Sequence, residues 1–396
     1  MITMFSPSPD IGPPRDDAEI EAYARIMSQS LLIPPLEEYD WLSLIGRESF
    51  RLARMNGEIA GGLGIIEMGQ WFGGRSIPMN GITLVGVAPH HRATGVAAAL
   101  LRAAFDESLE KDVPLSGLYP ATQPVYRRQG YERAGSRTLY RVPLNMVDIR
   151  DRSLRIRPIE GVGDEAVYDL YRWEAQRTAG RLDRSAWLWK RVFEPRGQKT
   201  YGYIVERDGV AEGYVVFLQE KEGLYTYDLV VTDLVVKTAD AARRILTLFA
   251  DHRSVARNLK VRGGAAPPLL YLLAEQRIEI TERLDWMLRI IDVKRALEHR
   301  GYPPGVSVTV HLEVQDDVLL PNSRRFVLEV TGGRASVHEG GSGRVRLDVR
   351  ALAPIYSGFS TPTELHSVGY VEGPEDELAA LSSVFAGPTP WMPDIF

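Results

Sequence analysis

Apolar positions recur at helical spacing over residues 16–28, where Ile20, Tyr23, Ala24 and Met27 share one face and the acidic start DDAE suits the positive end of a helix. The pattern then changes to strands. Residues 49–54 and 59–68 flank Asn56-Gly57, a pair that favours the tight turn of a β-hairpin. A further apolar run, 82–87, stops at Ala88-Pro89 and passes at once into the alanine-rich helical pattern 96–110. After Pro114 the chain predicts a short strand at 116–119, a helix near 124–128 and a closing strand at 137–142.

The mixed charges DIRDRS, within 145–157, separate this block from one that echoes it. Asn56-Gly57 followed by Gly61 is matched by Asp208-Gly209 followed by Gly213, an order that an internal duplication explains. Residues 229–236 are then the counterpart of 82–87, yet they continue into KTADAARRIL, which lacks the glycine pair of the first copy. The last hundred residues predict short strands at 308–314, 325–330, 334–339 and 343–347, then helices at 349–356 and 375–385. The expected fold class is α/β (α+β), in three domains at 1–148, 149–295 and 296–396. GGSG at 340–343 reads as a hairpin turn, and Trp187, Trp189 and the stretch 282–293 read as strand or core.

Composition narrows the function classes. A chain of 396 residues, 44% hydrophobic and 25% charged, has the make-up of a soluble multidomain protein. Its 47 basic against 52 acidic residues leave a net charge of -5, which gives no footprint for nucleic acid or an anionic membrane and leaves room for a cationic substrate. The absence of cysteine excludes disulfides, thiolate metal sites and a thiol nucleophile. The start MITMFSPSPD is not a signal peptide and no run reaches membrane-spanning length, so a cytoplasmic location is expected. There is no GxSxG elbow and no HExxH, so neither a serine hydrolase nor a metal site is expected.

The chemistry concentrates in VGVAPHHRATGVAAALLRAAF, residues 85–105. A strand that ends, a glycine turn that exposes its amides and a helix that starts with a small residue together form a cradle for a pyrophosphate. The candidate ligand-binding residues are Val85, Gly86 and Val87 on the strand and Arg92, Ala93, Thr94, Gly95, Val96, Ala97 and Ala98 on the loop and first helical turn. The string from Arg92 to Ala97 fits RxxGxA and resembles motif A of the Gcn5-related N-acetyltransferase (GNAT) superfamily, which implies acetyl-CoA as co-substrate and an amine as acceptor.

The whole chain resembles the Eis family of bacterial N-acetyltransferases, through VxVAPxHRxxG at 85–95, VYRRQGYE at 125–132, DWMLRIIDVKRALEHRGY at 285–302 and a final phenylalanine. The resemblance implies tandem GNAT acetyltransferase folds, the second degenerate, followed by a sterol-carrier-protein-like α+β domain, assembled as a hexamer. It implies transfer of acetyl to a polycationic small molecule such as an aminoglycoside, with Tyr126 as general acid, the carboxylate of Phe396 as general base, and Ala121 and Thr122 beside the coenzyme. An acidic, aromatic pocket for the amine is expected from Trp41, Trp71, Phe72, Asp285, Trp286 and Asp394. The family's penultimate acid is missing, although Asp394 stands close by. Two alternatives stay open: an acyltransferase acting on protein lysines, and a lipid-carrier-like binding protein whose acetyl-CoA site is vestigial.

Overall fold

Two turns of one type open the two halves of the molecule. In the computed structural model, which describes residues 9–34, 45–161 and 163–396, Asn56 and Gly57 both take positive φ (51° and 81°), and Asp208 and Gly209 repeat the pair (49° and 81°). Such turns carry the twist of the strands they join. The first half contributes β1 (Asp10–Gly12), β2 (Phe50–Met55), β3 (Glu58–Phe72), β4 (Arg75–Val87), β5 (Leu115–Leu118) and β6 (Glu132–Pro143). The second contributes β7 (Arg155–Pro158), β8 (Leu182–Asp183), β9 (Tyr201–Arg207), β10 (Val210–Lys221), β11 (Tyr227–Val236), β12 (Ala256–Gly263) and β13 (Glu279–Ile290).

These strands form one 13-stranded sheet among the described residues, in the order β1-β2-β3-β4-β5-β13-β6-β12-β11-β10-β9-β7, with β8 paired to β3. The boundary expected at 148 lies between β6 and β7 in sequence, but no such division exists in the sheet. β13, from the end of the second half, inserts between β5 and β6, and β6 bonds onward to β12. The exchange satisfies backbone edges that would otherwise stand open on β5 and β6.

Helix α1 (Asp17–Leu31) starts where Asp16 accepts a hydrogen bond from the Glu19 amide, and it buries Ile20, Tyr23, Ala24 and Met27 against the sheet. Helix α2 (Val96–Glu110) packs on β2, β3 and β4 through Leu100, Leu101, Ala104 and Phe105. The remaining helices used below are α3 (Gln123–Arg127), α4 (Ala186–Phe193), α5 (Ala239–Asp251) and α6 (Val349–Ser357). Trp187 and Trp189 therefore lie on a helix, not on a strand; the alternation of apolar residues in AWLWK is too short to separate the two periods.

The third domain has a sheet of five strands, β14 (Val308–Gln315), β15 (Arg325–Thr331), β16 (Arg334–Glu339), β17 (Val345–Asp348) and β18 (Val371–Glu372), ordered β16-β15-β14-β17-β18. The turn expected at 340–343 is a crossover instead. β17 runs parallel to β14, so the chain must travel from the sheet's edge past β15 before it can pair. From β17 the chain enters α6, whose residues Val349 and Ala351 to Ser357 are all buried. A helix apolar on every side belongs inside a protein, and α6 packs against β6, β13 and β17, locking the third domain onto the large sheet.

One ion pair ties this junction to the loop after α3. The Arg289 Nη2 of β13 donates to both Asp316 carboxylate oxygens at 2.8 and 2.7 Å, and both side chains are fully buried. The Arg289 guanidinium lies under Gly130, where φ is +84° and a Cβ would stand 2.6 Å from its carbon. Removing one partner strands a buried charge. Asp316→Ala should therefore destabilise the protein by about 3–5 kcal/mol in denaturant unfolding; a loss below about 1 kcal/mol would show that water reaches Arg289.

Candidate active site

The geometry of the site begins with two strands that separate. β4 and β5 are bonded in parallel from Met79↔Leu115 to Gly81↔Gly117, after which β4 continues to Val87 and β5 ends at Leu118. On its other side β4 carries a bulge. Between the pairs Gly62↔Gly86 and Gly64↔Thr83, Leu84 and Val85 together oppose Leu63, and Leu84 takes a φ of 52°. The Tyr23 hydroxyl of α1 donates to the Leu84 carbonyl and so fixes the bulge. The backbone of Val85 to Val87 thus borders an opening that β5 no longer closes.

Beyond β4 the chain reaches the start of α2 through an exposed loop. Gly95 is the N-cap, with a φ of 90° and open space around it, and it has no side chain to offer the helix. Among the described residues the amides of Val96, Ala97 and Ala98 meet no protein acceptor, the first intrahelical bond reaching back to Gly95 being that of Ala99. Uncapped amides and the positive end of the helix dipole make this a place for anionic oxygens. Arg92, Ala93 and Thr94 are exposed on the loop, and Ala93 also has positive φ (62°), while Ala97 and Ala98 are half-buried. His90 stands beside Glu58 at 3.6 Å, both exposed.

Tyr126, on α3, is 7% exposed. Burial raises its pKa to about 12. Its hydroxyl has no hydrogen-bond partner among the described residues, whereas the hydroxyl of neighbouring Tyr131 is 2.7 Å from Ser116 Oγ. The pKa of the Tyr23 hydroxyl is pushed well upward, first by burial and then by the Tyr126 phenol. Ala121 and Thr122 are exposed just ahead of α3.

The last residues of the chain arrive at the same opening. The amide of Ser136 donates to Pro390 O at 3.3 Å and that of Trp391 to Ala179 O at 3.0 Å. Arg137 Nε then holds the carbonyl of Pro393 (3.1 Å), Tyr119 Oη that of Asp394 (2.8 Å) and Arg191 Nη1 that of Ile395 (2.6 Å). The Phe396 ring lies on Gly81, where a Cβ would be 2.9 Å from it, and meets the Tyr119 ring edge-on at 5.8 Å. Gly81 is the last β4 residue bonded to β5, so the phenylalanine marks the point where the strands part.

Residues 14–134 and 180–290 each match the Acetyltransferase (GNAT) domain family, and residues 293–393 match the Sterol carrier protein domain family. The crystal structure of a GCN5-related N-acetyltransferase from Anabaena variabilis is 35% identical and superimposes with a TM-score of 0.92, covering 98% of this chain and 100% of its own. The chain belongs to the GCN5-related N-acetyltransferases. It is also similar to the N-acetyltransferase Eis of Mycobacterium tuberculosis, 27% identical over 337 residues and 79% of each chain. A GCN5-related N-acetyltransferase from Kribbella flavida is 26% identical, with a TM-score of 0.85 over 98% of this chain and 99% of its own. This is therefore an Eis-like N-acetyltransferase with two acetyltransferase domains and a sterol-carrier domain, of a superfamily that takes its acetyl group from acetyl-CoA.

Within this acetyltransferase the expected amine pocket does not assemble as one surface. Phe72 is fully buried and packs edge-on to Tyr356, and Trp286 is buried beside Gly135. Neither ring offers area to a ligand. Trp71 is half-buried against the second domain's core, and Asp285 lies between Arg133 and Arg283. Asp394 is bound by Arg184, which is itself buried against Asp233. Trp41 falls outside the described residues. A groove of about 550 Å³ borders β3 instead, lined by Glu48, Glu67, Glu107, Arg51, Lys111 and Trp187 among others, with Lys111 paired to Glu67 and Glu107 and Arg51 to Glu107. It reaches the terminus through Trp187, whose ring lies 5.0 Å from the Arg191 guanidinium that holds Ile395. No motif marks Glu48 or Glu67 in the sequence; only the fold brings them to one face.

The second copy closes the feature that the first leaves open. At the start of α5 the Thr238 side chain accepts from the Ala241 amide, and Asp240 adds a negative charge to the first turn. Such a cap repels phosphate. Gly95→Asp should abolish acetyl-CoA binding in calorimetry, whereas Gly95→Asn, which shares its backbone cost but not its charge, should retain most of it. Ala239→Asp should leave affinity unchanged. Equal affinities for the two Gly95 variants would remove the pyrophosphate from this loop.

Proposed function

We propose that this acetyltransferase moves acetyl from acetyl-CoA to amines of a polycationic small molecule such as an aminoglycoside, with Tyr126 as general acid and the α-carboxylate of Phe396 as general base. The observation that supports the reading most is the Phe396 ring seated on Gly81, where β4 and β5 part. Val85 to Val87 hold the thioester arm along the opening, and the amides at Gly95 to Ala98 hold the pyrophosphate. The groove beside Glu48 and Glu67 receives the cationic acceptor, which there takes the place of Lys111 on Glu67.

In the chemical step the acceptor nitrogen forms a bond to the acetyl carbon, the carbon–sulfur bond breaks, and the amine loses a proton as the sulfur gains one. The Phe396 carboxylate takes the proton from the amine. A phenol held at about 12 is protonated throughout the working range, and full transfer of its proton to a thiolate whose acid lies near about 8.5 is uphill by about 5 kcal/mol. Tyr126 therefore acts first as a hydrogen-bond donor to the charge growing on sulfur, completing the transfer as the product leaves.

Acetyl-CoA consumption over a panel of aminoglycosides, polyamines and lysine peptides tests the acceptor class. Multiple acetylation of the aminoglycosides is the expected outcome, and turnover on the lysine peptides alone would establish the protein-directed alternative. Tyr126→Phe should lower turnover by roughly 10²- to 10⁴-fold with coenzyme affinity nearly unchanged. Because the folded pKa is raised, the active protonated form persists as pH rises, and no loss of kcat/KM from tyrosine ionisation is expected below about pH 11. A falling limb near pH 9 that disappears in Tyr126→Phe would contradict the raised pKa, and turnover by Tyr126→Phe near that of the unsubstituted protein would contradict the role.

A further inference from the structure

The second domain has a parting of strands of its own. β11 and β12 are bonded in parallel from Tyr227↔Ala256 to Val230↔Lys260, after which they diverge, β11 to Val236 and β12 to Gly263. A cavity of about 410 Å³ fills the angle, within the usual size for a small-molecule site. Val231 and Leu234 line one side, Val261 and Leu269 the other, and Trp391 and Pro393 of the C-terminal segment supply a further wall.

Two guanidinium groups stand among these apolar residues. Arg181 is 1% exposed, its guanidinium lies 4.2 Å from the centre of the Trp391 ring, and its Nε and Nη1 have no hydrogen-bond partner among the described residues. Arg262 reaches across the angle to donate from Nη1 to the Val231 carbonyl (2.7 Å), and its buried Nε is also unpartnered. Two acids, Glu174 and Asp233, also line the cavity, and Arg181 pairs with both, its Nη1 standing 3.7 Å from an Asp233 Oδ1 that accepts no hydrogen bond among the described residues. Asp233 accepts from Arg184 and Tyr214, and Glu174 accepts from Arg181. Arg262 alone of the two has no ion pair among the described residues, and burial followed by the neighbouring Arg137 lowers its pKa to about 10. Glu282 and Asp394 act on Arg262 only through space, without a direct pair, so an anion placed on its guanidinium would offset part of the cost of its burial.

We propose that the cavity between β11 and β12 binds a small molecule with an apolar body and a carboxylate head, the head on Arg262 and Arg181 and the body along Val231, Leu234 and Leu269. The site is separate from acetyl-CoA. The start of α5 in the same domain is capped by Thr238 and made negative by Asp240, so this parting of strands lacks the phosphate cradle found at α2. Its occupant is bounded by the residues that lead to Phe396, because Trp391 and Pro393 form part of the wall.

Titration calorimetry of the full chain with octanoate, octanol and octylamine tests the proposal without reference to acetyl transfer. Octanoate should bind with one-to-one stoichiometry, at least tenfold more tightly than octanol or octylamine. Arg262→Gln should weaken octanoate at least tenfold, and Arg262→Lys should restore part of that loss, with thermal unfolding showing that both variants fold. Absence of saturable octanoate binding to the unsubstituted protein, equal affinity for octanol, or an affinity unchanged in Arg262→Gln would each overturn the assignment.

Discussion

The parting of β4 from β5 beyond Gly81 and Gly117 is the constraint on which the rest of this structure depends. Two parallel strands that stop bonding leave backbone groups facing an opening, and such groups need partners from a neighbouring element or from a ligand. The bulge at Leu84-Val85 turns the β4 backbone there, and Tyr23 of α1 holds it. β13 meets the same need on the far side of β5 by supplying a bonded partner from Met287↔Leu118 to Ile290↔Leu115. The first acetyltransferase domain is therefore complete only when the end of the second has folded into it.

Local chemistry made much of this legible in advance. The helix at 96–110 occupies the predicted residues, because alanine and leucine at helical spacing follow an unambiguous glycine N-cap. Both hairpin turns and the strand–helix order of both copies follow from short-range signals in the same way. Long-range pairing was not legible: nothing in residues 279–290 says that they fill a gap between β5 and β6, and nothing in GGSG says that β17 pairs with β14. The candidate site divides along the same line. Motif residues at 85–98 have local geometry that suits their assigned chemistry, whereas aromatic and acidic residues chosen by type alone, such as Phe72 and Trp286, are buried in the core. Residue type gives the chemistry available; burial decides whether a ligand can meet it.

The two copies differ in how the helix after the strand opening is capped. Gly95 leaves the amides of Val96, Ala97 and Ala98 without a protein acceptor among the described residues, while Thr238 occupies the corresponding end of α5 and Asp240 charges it. The strand opening survives in both. In the first copy the Phe396 ring lies where the strands part, and in the second the opening is bounded by Trp391 and Pro393 of the same segment. Residues 390–396 thus touch both halves, held by hydrogen bonds from Ser136, Arg137, Tyr119 and Arg191 and by the buried Arg184 pairs to Asp233 and Asp394.

The central claim is that a main-chain carboxylate, delivered by this segment, serves as the base. The most direct measurement compares steady-state acetyl transfer by the full chain with transfer by a protein lacking Phe396 and by one extended beyond it by a few residues, with acetyl-CoA affinity measured in parallel. The account predicts that both changes lower turnover by roughly 10²-fold or more while acetyl-CoA affinity and the unfolding midpoint stay near those of the full chain. Transfer by the extended protein at the rate of the full chain would contradict it and assign the base to a side chain or an ordered water.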